Sequence, residues 1–156
     1  MLTFQEMILR FAVALVLGAL LGLERELVGK EAGIRTEMLV AGGASIFAMI
    51  GLMLPYIAAS MSNSAVDISA QSNSFGIIAN IVVGIGFLGA GLIIKTGDRP
   101  HGITTAALVW TTAAIGVLAG VGMTWFAVAA AVILTVLLYM LRKLDIAERM
   151  EKENMH

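Results

Sequence analysis

The chain has 156 residues, of which 59% are hydrophobic and 13% charged, and its net charge is −1; an average soluble domain carries roughly 25% charged residues. A soluble domain this short buries only about 60–70% of the surface its unfolded chain exposes, so this much apolar surface excludes a soluble globule and points to lipid. The small net charge excludes a nucleic-acid footprint, and the absence of cysteine excludes disulfides, thiolate metal sites and cysteine catalysis.

A helix that crosses a hydrocarbon core of about 30 Å needs about 20 mostly apolar residues. The first such stretch runs from Met7 to Leu23. Glu6 precedes it and Arg10 lies within it, so it reads as a retained span and not as a cleaved signal peptide. Arg10 is four residues from Glu6 and can pair with it on one helix face; its long side chain is expected to snorkel to the outer surface, the alternative being a buried functional arginine. Met38 to Ile94 holds a single charge, Asp67, set in a polar insert from Ser60 to Ser74 that reads as a loop between the second and third spans. Gly102 to Leu141 holds no charged residue; it is long enough for two spans, with Gly120-Val121-Gly122 as the turn. The expected architecture is an all-α polytopic membrane bundle of about five transmembrane helices over residues 1–141, followed by a charged tail, 142–156, that briefly continues the last helix. Lysine and arginine cluster after span one (Arg25, Lys30, Arg35), after span three (Lys95, Arg99) and in the tail. That bias places the N-terminus outside and the C-terminus in the cytoplasm.

Several short patterns invite a functional reading. Gly18 and Gly22 have the spacing that lets another helix backbone approach closely. Directly after them stand Glu24, Arg25 and Glu26, which read either as a cytoplasmic-face site for an ion or a partner, or as an ordinary water-facing helix end. Glu24, Glu26, Glu31 and Glu37 offer carboxylates of the kind a magnesium ion prefers, but Arg25, Lys30 and Arg35 lie among them. Glu24 and Glu26 are therefore only weak metal candidates. Span three carries Gly84, Gly86, Gly89 and Gly91, each costing about 1 kcal/mol of helix propensity relative to alanine. Such a run reads as tight helix packing or as a locally broken helix lining a cavity, with Asn80 as a polar side chain seeking a neighbour. Span four repeats Thr104-Thr105-Ala106-Ala107 as Thr111-Thr112-Ala113-Ala114 seven residues later, which puts both blocks on nearly one helix face. Gly116 and Gly120 extend the small-residue spacing. Ahead of this span, a basic loop ending at His101 could hold an anion at the helix N-terminus, or Thr104 could simply cap the helix. No acidic residue stands at the centre of spans two to five, and no nucleophile–base–orienter set is visible, so neither a bare divalent-cation path nor an enzyme is expected.

Taken together, Leu20-Leu21-Gly22-Leu23-Glu24-Arg25-Glu26, Gly33-Ile34-Arg35-Thr36, the Val83–Gly91 glycine run and His101-Gly102-Ile103-Thr104-Thr105-Ala106-Ala107 leading to Trp110 resemble the MgtC/SapB family of bacterial inner-membrane proteins. The resemblance covers about Ala14 to Leu141. It implies a five-helix inner-membrane module associated with adaptation to low magnesium and, in pathogens, with survival inside host cells. It further implies regulation of other membrane proteins, the ATP synthase among them, with magnesium as a possible ligand or transported ion. Glu24, Arg25, Glu26 and Arg35 match the family's charged signature; Gly84, Gly86, Gly89 and Gly91 its glycine-rich helix; Thr104, Thr105 and Trp110 its fourth-span signature. Well-known members carry a soluble C-terminal domain that these 156 residues do not include, and some have asparagine where Thr104 stands and cysteine where Thr111 stands.

The expectation is thus a non-enzymatic, cofactor-free membrane protein that associates with itself, a dimer being favoured, or with other membrane proteins. The rival expectation is a homo-oligomeric magnesium or other cation transporter, with the span-three glycines and the Glu24/Glu26 pair along the route.

Overall fold

The computed structural model describes residues 2–62, 70–96 and 99–153. It contains five helices, α1 (Phe4–Leu27), α2 (Ile34–Ser62), α3 (Ala70–Leu92), α4 (Ile103–Val121) and α5 (Thr124–Glu153), with two short strands, β1 (Ile94–Thr96) and β2 (Arg99–His101), between α3 and α4. Four helical stretches, Phe4–Leu27, Ile34–Met61, Ile103–Val121 and Thr124–Leu144, are long and apolar enough to cross a membrane; the apolar part of α3, Gly76–Leu92, is shorter. The all-α membrane bundle expected from hydropathy is the fold observed. Much of the polar insert continues the helices: α2 runs through Ser62 and α3 begins at Ala70, while Asp67 lies outside the described residues. The basic loop before α4 is an antiparallel ladder pairing Ile94 with His101 and Thr96 with Arg99, which the hydropathy pattern gave no reason to expect.

The helix ends follow local chemistry. Thr3 caps α1: its hydroxyl accepts from the Glu6 amide while the Glu6 carboxylate accepts from the Thr3 amide at 2.7 Å, a reciprocal box that satisfies two orphan donors. At the other end Gly29 turns the chain with φ +67, and the Gly29 and Lys30 amides donate back to the Glu26 and Arg25 carbonyls, closing the helix as a Schellman motif does. Gly122, φ +95, ends α4 the same way, donating to Ala119 O while Met123 donates to Leu118 O. The turn therefore falls where the glycines predict it.

The core is built on α2 and α4. Leu17, Leu21, Ala41, Leu108, Ile115 and Ala119 pack with Ala127 and Ala131 of α5; on the opposite side Val40, Ala44, Val109 and Ala113 pack against Ile81 and Ile85 of α3. Over half of α4's apolar span is buried (56%), against 11% for α5, so α4 is the central rod and α5 an outer one. Two glycine pairs set the spacing. A Cβ at Gly18 would stand 2.5 Å from Glu37 O, and one at Gly22 2.6 Å from the Ile34 Cα, so α1 lies backbone to backbone on the start of α2. Gly116 and Gly120 of α4 press in the same way on Ala41 and Ser45 of α2. Residues 37, 41 and 45 recur every four positions, so one stripe of α2 is gripped from two directions.

Candidate functional site

The end of α1, the α1–α2 loop and the start of α4 converge on a group of charged and hydroxyl side chains. Glu24 and Arg25 occupy the last turns of α1 and are buried, although charge normally seeks water. Arg25 Nη2 donates to Thr105 Oγ1 at 2.8 Å, and Thr105 Oγ1 donates in turn to Glu31 Oε2 at 3.1 Å. The threonine is thus a relay between a buried guanidinium and an exposed carboxylate. Glu31's own backbone amide, together with the Thr105 hydroxyl, holds that carboxyl below the ordinary carboxylate range. Glu26, one residue beyond Arg25, is exposed and does a structural job: its Oε2 accepts from the Ile34 amide at 2.9 Å and so caps the first turn of α2.

Deeper in the bundle, Glu37, Ser45 and Thr112 are each fully buried. Both Glu37 carboxyl oxygens, Ser45 Oγ and Thr112 Oγ1 lack hydrogen-bond partners among the described residues, as do Glu24 Oε2 and Arg25 Nε. Thr112 and Arg25 are the polar groups that bear on the Glu37 carboxyl. The interior of the α1–α2–α4 packing therefore holds a polar track in an otherwise oily core. Such groups are costly at membrane depth and mark function by default. At the opposite end of the bundle Arg10 Nη1 donates to Gly120 O at 2.8 Å, placing a cation against the carbonyl end of α4, where the helix dipole favours it. Arg10 is thus bonded to α4, not extended alone to the surface.

The residues singled out from sequence divide in two. Glu24, Arg25 and Thr105 come together, and Thr104, exposed, lines the cavity beside them. Thr104 is not the cap of α4: that position is Gly102, with φ 84 and no side-chain cap bond. Arg35, Asn80 and Gly84 lie elsewhere, along an apolar groove of about 870 Å³ between α2 and α3. Gly84, Gly86 and Gly91 meet nothing within 4 Å, whereas Gly89 is buried with its nearest contact at Ala106, 3.7 Å away. The glycines pressed onto a neighbouring helix's backbone belong to α1 and α4, while Gly42 of α2 is closed off by the side chains of Leu15 and Phe11. Trp110 is half exposed, and the Thr111 hydroxyl bonds back to Ala107 O on its own helix. Among the described residues no three His, Cys, Asp or Glu side chains stand close enough to hold a metal ion. The sequence pattern does not single out Ser45 or the pairing of Arg10 with α4, and it offers Glu37 only as one of four carboxylates with weak promise as metal ligands. The signal was available for two of these, since Glu37, Ala41 and Ser45 form an i, i+4, i+8 stripe of small or polar side chains inside an apolar run.

A family described as the MgtC family matches residues 11–146. The chain is 42% identical over 127 residues to "Protein MgtC" of Salmonella typhimurium, an alignment covering 81% of this chain and 48% of that protein. It is 39% identical over 133 residues to "Protein MgtC" of Brucella abortus, covering 85% and 50% respectively. The chain thus spans about half the length of these relatives. No solved structure matches it.

Proposed function

The chain belongs to the MgtC family, and from that membership we propose that it is a multi-pass protein of the bacterial inner membrane that serves adaptation to low magnesium, or a related stress, by binding and regulating other membrane proteins. In this reading it carries no catalytic residue and no resident cofactor, its C-terminus faces the cytoplasm, and the ATP synthase is a partner the family resemblance brings forward. The observation that carries it is the open glycines of α3, with Gly84 and Gly91 seven residues apart on one face and Gly86 on the opposite one. Gly84, Gly86 and Gly91 sit on a membrane helix with open space beyond them. Glycine in a helix is unfavourable and is repaid in bilayers by close helix–helix approach. Within this chain that approach happens at Gly18, Gly22, Gly116 and Gly120, so the α3 glycines are free for a helix from another molecule, whether a second copy or a different protein.

The native chain has no cysteine, which makes the test clean. Single cysteines at Gly84, Gly86 or Gly91 are expected to cross-link in native membranes to a second copy or to another membrane protein, while a cysteine at exposed Ile133 on α5 is not. Absence of adducts from all three α3 positions refutes the partner reading.

The second reading, cation passage through a homo-oligomer, is favoured by one observation: the Glu37 carboxyl, fully buried in the first turn of α2. Magnesium flux into liposomes that disappears with Glu37→Gln supports it; flux indistinguishable from empty liposomes removes it.

A further inference from the structure

A cavity of about 990 Å³ opens where α1 ends, α4 begins and α5 leaves its apolar run. Its lining is hydrocarbon at Ile103, Leu138 and Leu141 and charged at Glu24, Arg25, Lys30, Glu31 and Arg142, the Glu31 carboxylate being already engaged by the Thr105 hydroxyl. Two of these charged residues are more than nine-tenths buried, with Glu24 8% exposed and Arg25 6%. Each holds an atom without a partner among the described residues, Glu24 Oε2 and Arg25 Nε. A desolvated ionic group without bonds is costly enough that something normally supplies them. Gly102 lines the same cavity and gives the first turn of α4 no side-chain bond, so the positive end of that helix faces the space.

The demands on a ligand are therefore mixed. Glu24 needs a donor, and a cationic one suits it best. Arg25, Lys30, Arg142 and the α4 terminus need an anion. The leucine wall needs hydrocarbon. A lone metal cation answers the first demand only, and inorganic phosphate the second only. On α5, Arg142 directly follows Leu141, the point at which the apolar run gives way to charge; this is the depth of lipid headgroups. We propose that this cavity binds one phospholipid with a primary-amine headgroup: its phosphate lies among Arg25, Lys30, Arg142 and the α4 N-terminus, its ammonium donates to Glu24, and an acyl chain lies along Leu138 and Leu141. The inference stands apart from the partner reading and needs only that the chain sits in a bilayer.

The test is native mass spectrometry of the purified chain in detergent, titrated with defined lipids of identical acyl chains. Phosphatidylethanolamine is expected to bind about tenfold more tightly than phosphatidylcholine, which keeps the phosphate but replaces the amine's donors with methyl groups. Glycerophosphoethanolamine, the headgroup without chains, is expected to bind at least tenfold more weakly than the lipid. Glu24→Gln should bring phosphatidylethanolamine down to the level of phosphatidylcholine and leave the latter unchanged, while Arg142→Ala should weaken both alike. Equal binding of the two lipids to the unaltered protein overturns the proposal, as does tighter binding of phosphatidylglycerol than phosphatidylethanolamine, which means an anion site only. So does a chainless headgroup that binds as well as the lipid. Because these lipid comparisons use the unaltered chain, their outcome does not depend on whether a variant folds.

Discussion

Gly18→Ala adds a single methyl group to the face of α1 that lies on α2. That methyl carbon would stand 2.5 Å from Glu37 O and 2.9 Å from both the Glu37 carbonyl carbon and the Met38 Cα, where ordinary contact begins at 3.4 Å. All three obstacles are backbone, so no side chain can swing aside, and the two helices must separate by about 0.9 Å, the shortfall at the oxygen. A gap of about 0.5–1 Å forfeits roughly a quarter to a half of each dispersion contact along the face. Overpacking of this kind costs about 1–3 kcal/mol, and with only backbone to yield the upper part of that range applies. Replacing a helical glycine by alanine returns about 1 kcal/mol of propensity. The expected net loss is therefore about 2 kcal/mol, a fall in melting temperature of about 4–8 °C for a chain of this size. Gly76→Ala, on α3 but outside the glycines assigned to a partner, is the internal control: nothing lies within 4 Å of its new carbon, so only the propensity gain of up to about 1 kcal/mol remains. Thermal unfolding of both variants in the same mild detergent, followed by circular dichroism, measures the contrast. Equal shifts of the two, or a stabilised Gly18→Ala, would show that the α1–α2 approach is not the close packing described and refute the reasoning.

Thr105→Val removes the hydroxyl that links Arg25 to Glu31, leaving a buried guanidinium still less satisfied; a loss of about 1–3 kcal/mol is expected in denaturant unfolding, whereas Thr104→Val, on the exposed position next to it, should change little. Arg10→Met keeps most of the aliphatic stem but loses the bond to Gly120 O, and about 1–2 kcal/mol of stability at the end of α4 is expected to go with it. Because the Glu31 carboxyl is held below its ordinary value of 4.5 in the folded chain, its contribution is present above that value and is lost as pH falls through the lowered one; pH-dependent melting should lose that acid-side component in Glu31→Gln. Gly102→Ala should be the most disruptive glycine change, since φ is 84 there and the added carbon would collide with Leu92 O; loss of the monodisperse species in size-exclusion chromatography is the readout.

Hydropathy alone made the bundle legible, because a run such as Gly102–Leu141 without one charge has no other place than a bilayer core. Local chemistry made the turn at Gly122 legible as well. Glycine spacing was legible at Gly18 and Gly22, whereas at Gly84, Gly86 and Gly91 it meets no neighbour within the chain, since a sequence records that a backbone is bare and not what stands opposite it. The polar interior was mostly hidden. Arg25 meets Thr105 across 80 residues and Arg10 meets Gly120 across 110, and no periodicity within one helix reports a partner on another. Glu37 reads as one of a charged cluster with Glu31 and Arg35 because it lies beside them in sequence; its burial follows from Gly18 bringing α1 onto it, a fact about a different helix.

The double grip on α2 has a consequence for how the protein is made. Its first clamp, from Gly18 and Gly22, is available as soon as the opening hairpin leaves the ribosome, but the second waits for Gly116 and Gly120. Translation at about 5–20 residues per second puts roughly 4–15 s between synthesis of Ala41 and of Gly116. Throughout that interval Ala41 and Ser45 lack the α4 backbone that Gly116 and Gly120 press against them, so α2 stays open on that side, with its acidic first turn already laid on α1, until α4 arrives to shut it in.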